Sequence, residues 1–291
     1  MTFWCSFRST TMRRGLGLGV NIGGNIGTNM LPNIGAKVGT KAACSSKALG
    51  SMKALGHPYA LAFQRGVASS AKLDPVQEAL LSEPCILVDE NDKTLGQASK
   101  RACHEMLPNG SSLLHRAFSL FIFNSRDELL LQQRSSTKIT FPDMWTNTCC
   151  SHPLAVESEM EEAEALGVKR AAQRRVNLEL GVEGAEAKVE DITFLTRILY
   201  AAPSSGAWGE HELDYILTLR SDPRITPDPE EVRAIEWVDR QHLQEFIRET
   251  EAGGGQFTPW FQLISKNLLP TWWENLDRLK EMEDHGTIHK Y

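Results

Sequence analysis

Between Met1 and Leu73 the chain has no Asp or Glu, yet it carries nine bases: Arg8, Arg13, Arg14, Lys37, Lys41, Lys47, Lys53, Arg65 and Lys72. From Asp74 onward all 37 acids face the remaining 22 bases. That break limits what can fold. The first 73 residues are rich in Gly, Ser, Thr and Asn, without a sustained apolar run for a bilayer span or the compact apolar core of a secretory signal. They read as an organelle transit peptide, of plastid type first and mitochondrial second. A basic arm that touches nucleic acid is the other reading of such a stretch. Residues 74–291 are then the protein proper, a single domain of ordinary apolar content. Two of the six cysteines, Cys5 and Cys44, lie in the leader; Cys85, Cys103, Cys149 and Cys150 show no framework spacing, so no disulfides are expected in a reducing stroma or matrix.

The acidic part alternates element types. "EPCILVDEND" reads as a strand and an Asn-Asp turn, leading into "KTLGQAS". "HRAFSLFIFNSRDELLLQQRS" reads as two strands about a Ser-Arg-Asp turn, with Phe118, Leu120 and Ile122 on one face and Phe121 and Phe123 on the other. "SEMEEAEALGVKRAAQRRVNLELG" reads as one helix, acidic at its start, basic towards its end and capped at Gly181. "EDITFLTRILYAA", "HELDYILTLRS" and "EEVRAIEWVD" read as strands; "RQHLQEFIRET", "TPWFQLISKNL" and "TWWENLDRLKEM" read as C-terminal helices. Strands, one central helix, more strands and then helices give a mixed α/β fold. Trp272 and Trp273 are read as anchors of the last helix, and His285 and His289 as part of a polar, disordered tail.

Chemistry gathers around "TNTCCSHPLA", residues 146–155. His152 follows the adjacent Cys149 and Cys150 in a loop, His104 falls in a short helix "SKRACHEM", and His115 starts a strand. Glu210 and Glu212 alternate in "WGEHELDYIL", so in a strand both carboxylates share a face. Three imidazoles and two carboxylates suit a divalent ion such as Mg²⁺, Mn²⁺ or Zn²⁺ if they converge. Only one of the two adjacent cysteines can face a pocket, and Cys149 is read as packing. His211 points to the opposite face of the strand.

The strings "TNTCCSHPL", "AAQRRVNLELGV" and "GAWGEHELDYIL", in this order, resemble the type I isopentenyl-diphosphate isomerases, a branch of the Nudix superfamily. The likeness runs from about residue 83 to 275 and includes "ASKRACHEMLPNGSSLLHRAFSLFIFN", "QQRSSTKITFPDMWTNTCC" and "FTPWF". It implies a Nudix-like fold: mixed β-sheets flanked by helices, with extra C-terminal helices. It implies interconversion of isopentenyl and dimethylallyl diphosphate. Cys150 takes the place of the catalytic thiol and Glu212 that of the catalytic carboxylate, with Tyr200 beside the reacting carbons. His104, His115, His152, Glu210 and Glu212 match the family's metal ligands. Lys100, Arg134, Lys138, Ser151 and Arg175 match groups that hold the diphosphate, and Glu179 matches the glutamate that holds a second Mg²⁺ against it. Trp260 matches an aromatic lid over the isoprenoid tail. Trp260, Trp208 and Tyr200 are the aromatic faces that could stabilise a carbocation. The implied partner is this small substrate alone, with no nucleic acid and no membrane span, bound by a monomer; the leader, outside the resemblance, is what points to the plastid stroma, with the mitochondrion second.

Two other classes remain open on sequence. A Nudix hydrolase carries R-E-U-x-E-E-x-G-U in its helix, with U apolar. "RRVNLELGV", residues 174–182, keeps Arg174, Val176, Glu179, Gly181 and Val182 but places Arg175 and Leu178 where two glutamates belong, which argues against assembling several Mg²⁺ on a pyrophosphate. A structural zinc module would need a partnering Cys or His pair that the chain does not show.

Overall fold

The computed structural model describes residues 75–291, so the leader and the boundary at residue 74 lie outside the described residues. In chain order the elements are α1 (Pro75–Leu80), β1 (Pro84–Val88), β2 (Thr94–Ser99), α2 (Lys100–His104), β3 (His115–Phe123), β4 (Leu129–Arg134), β5 (Trp145–Thr146) and β6 (Cys149–Ser151). Then come α3 (Leu166–Leu180), β7 (Thr193–Pro203), β8 (Gly209–Arg220), β9 (Val232–Val238), α4 (Leu243–Ala252), α5 (Pro259–Asn267), α6 (Leu269–Trp273) and β10 (Ile288–Lys290).

β3 is the spine, and all nine of its residues are buried. One edge pairs in parallel with β8, from His115↔Glu212 to Phe123↔Arg220. The other edge is shared in turn by β1 at His115, β6 at Phe118–Leu120 and β4 at Phe123. The alternation read in the sequence holds. Phe118, Leu120 and Ile122 enter a core with Val168, Ala172 and Val176 of α3. Phe121 and Phe123 enter a second core with Trp260, Phe261 and Ile264 of α5. The sheet is therefore covered on both faces, as a strand run without polar alternation requires.

α3 buries Val168, Ala171, Ala172, Arg175, Val176, Glu179 and Leu180, a stripe at helical spacing that carries two charged residues inward. It begins at Leu166, not at Ser158. The acidic stretch before it forms two short 3₁₀ turns, with positive φ at Glu164 and Ala165 breaking the run. The expected macrodipole pattern is accordingly absent, since neither the first nor the last turn of α3 holds a matching charge. Gly181 does close the helix, at φ 66°, and an added Cβ there would stand 2.8 Å from the Thr226 carbonyl oxygen.

The C-terminal part also differs from its pattern. "TWWENLDRLKEM" is the end of the one-turn α6 followed by a 3₁₀ segment, Leu276–Met282. Its tryptophans are anchors as expected: Trp273 donates from Nε1 to the Asp127 carbonyl at 2.7 Å and packs edge-on to Phe123. The polar tail is not disordered. Residues Ile288–Lys290 pair in parallel with Arg197–Leu199 of β7, because that outer edge of the sheet would otherwise leave its backbone groups unpaired.

Candidate active site

The five donors of the cluster come from four segments of the chain. α2 is capped by Ser99, whose Oγ accepts from the Ala102 N–H, and ends at His104. β3 begins at His115, which lies opposite Glu212 in the parallel register. Glu210 and Glu212 alternate on β8 as read, and His152 follows β6, which is a three-residue strand where the sequence reading had a loop. The three imidazole centroids lie 4.9, 4.9 and 4.8 Å apart. One ligand atom from each of the five residues lies within 4.8 Å of all the others. Opposite donors of an ion with bonds of about 2.1 Å stand about 4.2 Å apart, so the set needs to contract by only a few tenths of an ångström.

The hydrogen bonds set the ring orientations. His104 Nδ1 lies 2.6 Å from the Lys100 carbonyl oxygen, and His115 Nδ1 lies 2.8 Å from that of Leu113. With Nδ1–H donating outward, each Nε2 turns its lone pair inward, as metal-bound histidines do. Both Nε2 atoms and Glu210 Oε2 are buried without a hydrogen-bond partner. His104 Nε2 and Glu210 Oε2 stand 2.8 Å apart, but without hydrogen-bond geometry. Converging unsatisfied donors in a buried site fit a divalent cation. Burial pushes His115 down to about 3 and His152 well below the usual imidazole range, so both rings are neutral ligands at pH 7. Burial raises Glu210 too, but His104 more than offsets it and holds this carboxyl at about 2. Burial, then the charges of Glu210 and Asp214, push Glu212 well above the carboxylate range.

Glu212 joins the cluster to the reactive side. Its Oε1 meets His152 Nε2 at 2.8 Å, and its Oε2 accepts a short hydrogen bond from the Tyr200 hydroxyl. Cys150 faces the same cavity, half-buried, while Cys149 is fully buried with its Sγ 3.4 Å from Glu179 Oε2. The expectation that only the second cysteine reaches the pocket holds. Burial pushes the Cys150 thiol up to about 12, against the lowering effect of Arg134, whose Nη1 lies 3.6 Å from Sγ. The cavity is lined by Lys100, Arg134, Lys138, Ser151 and Trp260 as well as Cys150, Glu210, Glu212, His104 and His152.

Trp260 is a fixed wall. Its Nε1 donates to Asn147 Oδ1 at 3.1 Å, Phe141 meets it edge-on at 5.3 Å, and the Arg134 guanidinium lies over its ring at 5.7 Å. Trp208 does not belong to this wall: it carries Arg101 over its ring at 5.8 Å and bridges to Glu105. His211 bonds the Ser112 carbonyl, away from the cluster. Arg175 and Glu179 sit behind the cavity wall, 1% and 2% exposed. Arg175 Nη2 reaches Glu179 Oε1 at 2.5 Å, and Glu179 Oε2 takes Gln132 and Cys149. Leu178, at the other altered position, is exposed on the outer side of α3.

Three contributors were missed. Asp214 continues the Glu210–Glu212 alternation and was readable from it; it accepts from Ser119 Oγ at 2.8 Å. Asn147 and Glu231 carry no such signal, because Trp260 for the one, and Lys138 and Arg175 for the other, lie far off in sequence.

Residues 113–261 match the family model described as NUDIX domain. The chain is 50% identical over 224 residues to isopentenyl-diphosphate Delta-isomerase 1 of Bos taurus, covering 76% of this chain and 98% of the relative. It is 50% identical over 231 residues to the chloroplastic isopentenyl-diphosphate Delta-isomerase 1 of Cannabis sativa, covering 77% and 80%. It is 50% identical over 226 residues to the chloroplastic isopentenyl-diphosphate Delta-isomerase II of Arabidopsis thaliana, covering 76% and 80%.

Proposed function

The chain belongs to the isopentenyl-diphosphate Delta-isomerases of the NUDIX family, and from that premise we propose how its pocket moves the substrate's double bond. The protein is an isomerase that interconverts isopentenyl diphosphate and dimethylallyl diphosphate. The reaction adds a proton at one carbon of an unactivated alkene and removes one from another, so nothing is gained or lost overall. Cys150 and Glu212 are the proton-handling pair, one giving as the other takes, with roles exchanged in reverse. Tyr200 fixes Glu212 by its hydrogen bond. The observation that carries this reading is that Cys150, Glu212 and Trp260 line one cavity over the five-donor cluster.

Positive charge develops on the tertiary carbon between the two proton transfers. Trp260 is the face that meets it; this ring already holds the Arg134 guanidinium, and such contacts contribute about 0.5–2 kcal/mol. Burial excludes the water that would capture the cation. Lys100, Arg134, Lys138 and Ser151 hold the diphosphate from the cavity wall. Arg175 supports them from behind. His104, His115, His152, Glu210 and Glu212 would hold a divalent ion, Mg²⁺ or else Mn²⁺ or Zn²⁺, whose charge organises the two carboxylates. Both Glu179 oxygens are engaged by Arg175, Gln132 and Cys149, which does not fit a second Mg²⁺ held at this carboxylate.

The acid-free leader, together with relatives named as chloroplastic, supports a plastid transit peptide over residues 1–73 and work in the stroma. Among the described residues no helix is long and apolar enough to cross a membrane. The test is incubation of the full chain with isopentenyl diphosphate and Mg²⁺, followed by NMR. Dimethylallyl diphosphate is the expected product; release of phosphate or of isopentenyl monophosphate would instead indicate hydrolysis.

A further inference from the structure

Behind the cavity wall lies a buried carboxylate that the isomerisation does not use. Glu231 stands just before β9 and is 3% exposed. Its Oε2 receives two cationic donors: a short contact from Lys138 Nζ, and Arg175 Nη2 at 3.2 Å. Arg175 is held in turn by Glu179 Oε1, so the order from the cavity inward is Lys138, Glu231, Arg175, Glu179. The backbone reinforces this join, since the Ser135 N–H donates to the Glu231 carbonyl at 3.0 Å, three residues before Lys138. Glu231 does not line the cavity itself, whereas Lys138 does.

A lysine is a point charge on a flexible four-carbon stem, and by itself it has no fixed place in a pocket. Lys138 stands among further cations: Lys100 and Arg134 line the same cavity, and Arg175 shares the Glu231 carboxylate with it. Left uncompensated, Lys138 would turn away towards solvent. We propose that Glu231 is a positioning residue for diphosphate recognition, a fixed carboxylate bracket that holds Lys138 at the cavity wall and ties it to Arg175. The bracket explains why the Arg175 position takes a base on a buried helix stripe: it is the far anchor of the same chain of charges. This inference rests on the reading of Lys138 as a diphosphate-binding base.

The test is steady-state kinetics and inhibition by inorganic pyrophosphate on the full chain, with Glu231→Gln, Lys138→Met and the double variant. Glu231→Gln keeps the shape and one acceptor but removes the charge. The expected result is a rise of about tenfold in both KM and the pyrophosphate inhibition constant, with kcat within about twofold. In the Lys138→Met background the same substitution should add less than about twofold, because the group it positions is gone. A role in folding alone would lower thermal stability and active fraction without moving the pyrophosphate constant, and would overturn the proposal. If Lys138→Met raises KM but Glu231→Gln has its full effect in that background, the bracket is wrong and the lysine's role stands. If Lys138→Met leaves KM and pyrophosphate inhibition unchanged, the reading of Lys138 fails, and the bracket fails with it. Should Glu231→Gln not fold, Glu231→Asp keeps the charge but draws it one methylene back from Lys138: the pyrophosphate inhibition constant should rise in the otherwise wild-type chain and not in the Lys138→Met background, and no rise in the former would overturn the proposal.

Discussion

Asn147 is the residue through which the thiol strand and the aromatic wall share one set of hydrogen bonds. It is fully buried, as are its neighbours Thr146 and Thr148. Its Nδ2 donates to the Leu120 carbonyl at 3.1 Å and to the Cys149 carbonyl at 2.9 Å, and its Oδ1 accepts from Trp260 Nε1 at 3.1 Å. Asn147→Ala leaves the indole N–H with no acceptor, takes one of two hydroxyl partners from Thr146 and removes one donor from each of two carbonyls. A buried polar group that loses its partner costs about 1–3 kcal/mol, and the carbonyls keep a second lone pair, so the total comes to about 2–4 kcal/mol. For a domain of about 150–250 residues each kcal/mol shifts Tm by about 2–4 °C, giving a fall of about 4–16 °C. Activity should fall below the melting range too. Trp260 and Cys150 lose their common support, and a displacement of about 1 Å at reacting groups costs up to about a hundredfold in rate. Calorimetry and kcat at a temperature where the variant is folded test both halves. A Tm change under about 2 °C together with an unchanged kcat would refute the reasoning.

Other expectations concern the pocket itself. Tyr200→Phe removes the side-chain donor on Glu212 Oε2, and a hydrogen bond of about 0.5–1.5 kcal/mol corresponds to a kcat loss of about two- to tenfold; an unchanged kcat would separate Tyr200 from the chemistry. Since burial holds the Cys150 thiol near pH 12, its modification by a small thiosulfonate should still rise about tenfold per pH unit up to the highest pH at which the protein stays folded. Peptide mapping of the labelled cysteine would contradict this by showing a plateau near pH 9. Stripping divalent metal should destabilise the fold: at an ion concentration of about 100 Kd, binding contributes about 2.7 kcal/mol, or a Tm loss of about 5–11 °C restored by Mg²⁺, Mn²⁺ or Zn²⁺. Insensitivity of Tm to chelator and to added ion would mean that the His/Glu cluster binds none.

What could be read in the sequence was local or periodic. Alternation in β3 sorted its residues onto two cores, and alternation in β8 placed both glutamates together. Resemblance over long strings brought His104, His115 and His152 to one point, which spacing by itself could not do. The start of α3 was misread because acidic residues continue through the two 3₁₀ turns, and only positive φ at Glu164 and Ala165 separates them from the helix. β10 was missed because three residues that complete a sheet edge have no pattern of their own. Asn147 and Glu231 were invisible for a third reason: their roles depend on Trp260 and on Lys138 and Arg175, brought near only by folding.

The most direct test of the paired thiol and carboxylate is isotope transfer in D₂O, read by NMR, on the full chain with Cys150→Ala and Glu212→Gln. The account predicts that the wild-type protein carries deuterium into dimethylallyl diphosphate and that each variant loses turnover by about a thousandfold or more while still binding pyrophosphate. A folded, metal-loaded variant at either position that still labels product at near wild-type rate would contradict it.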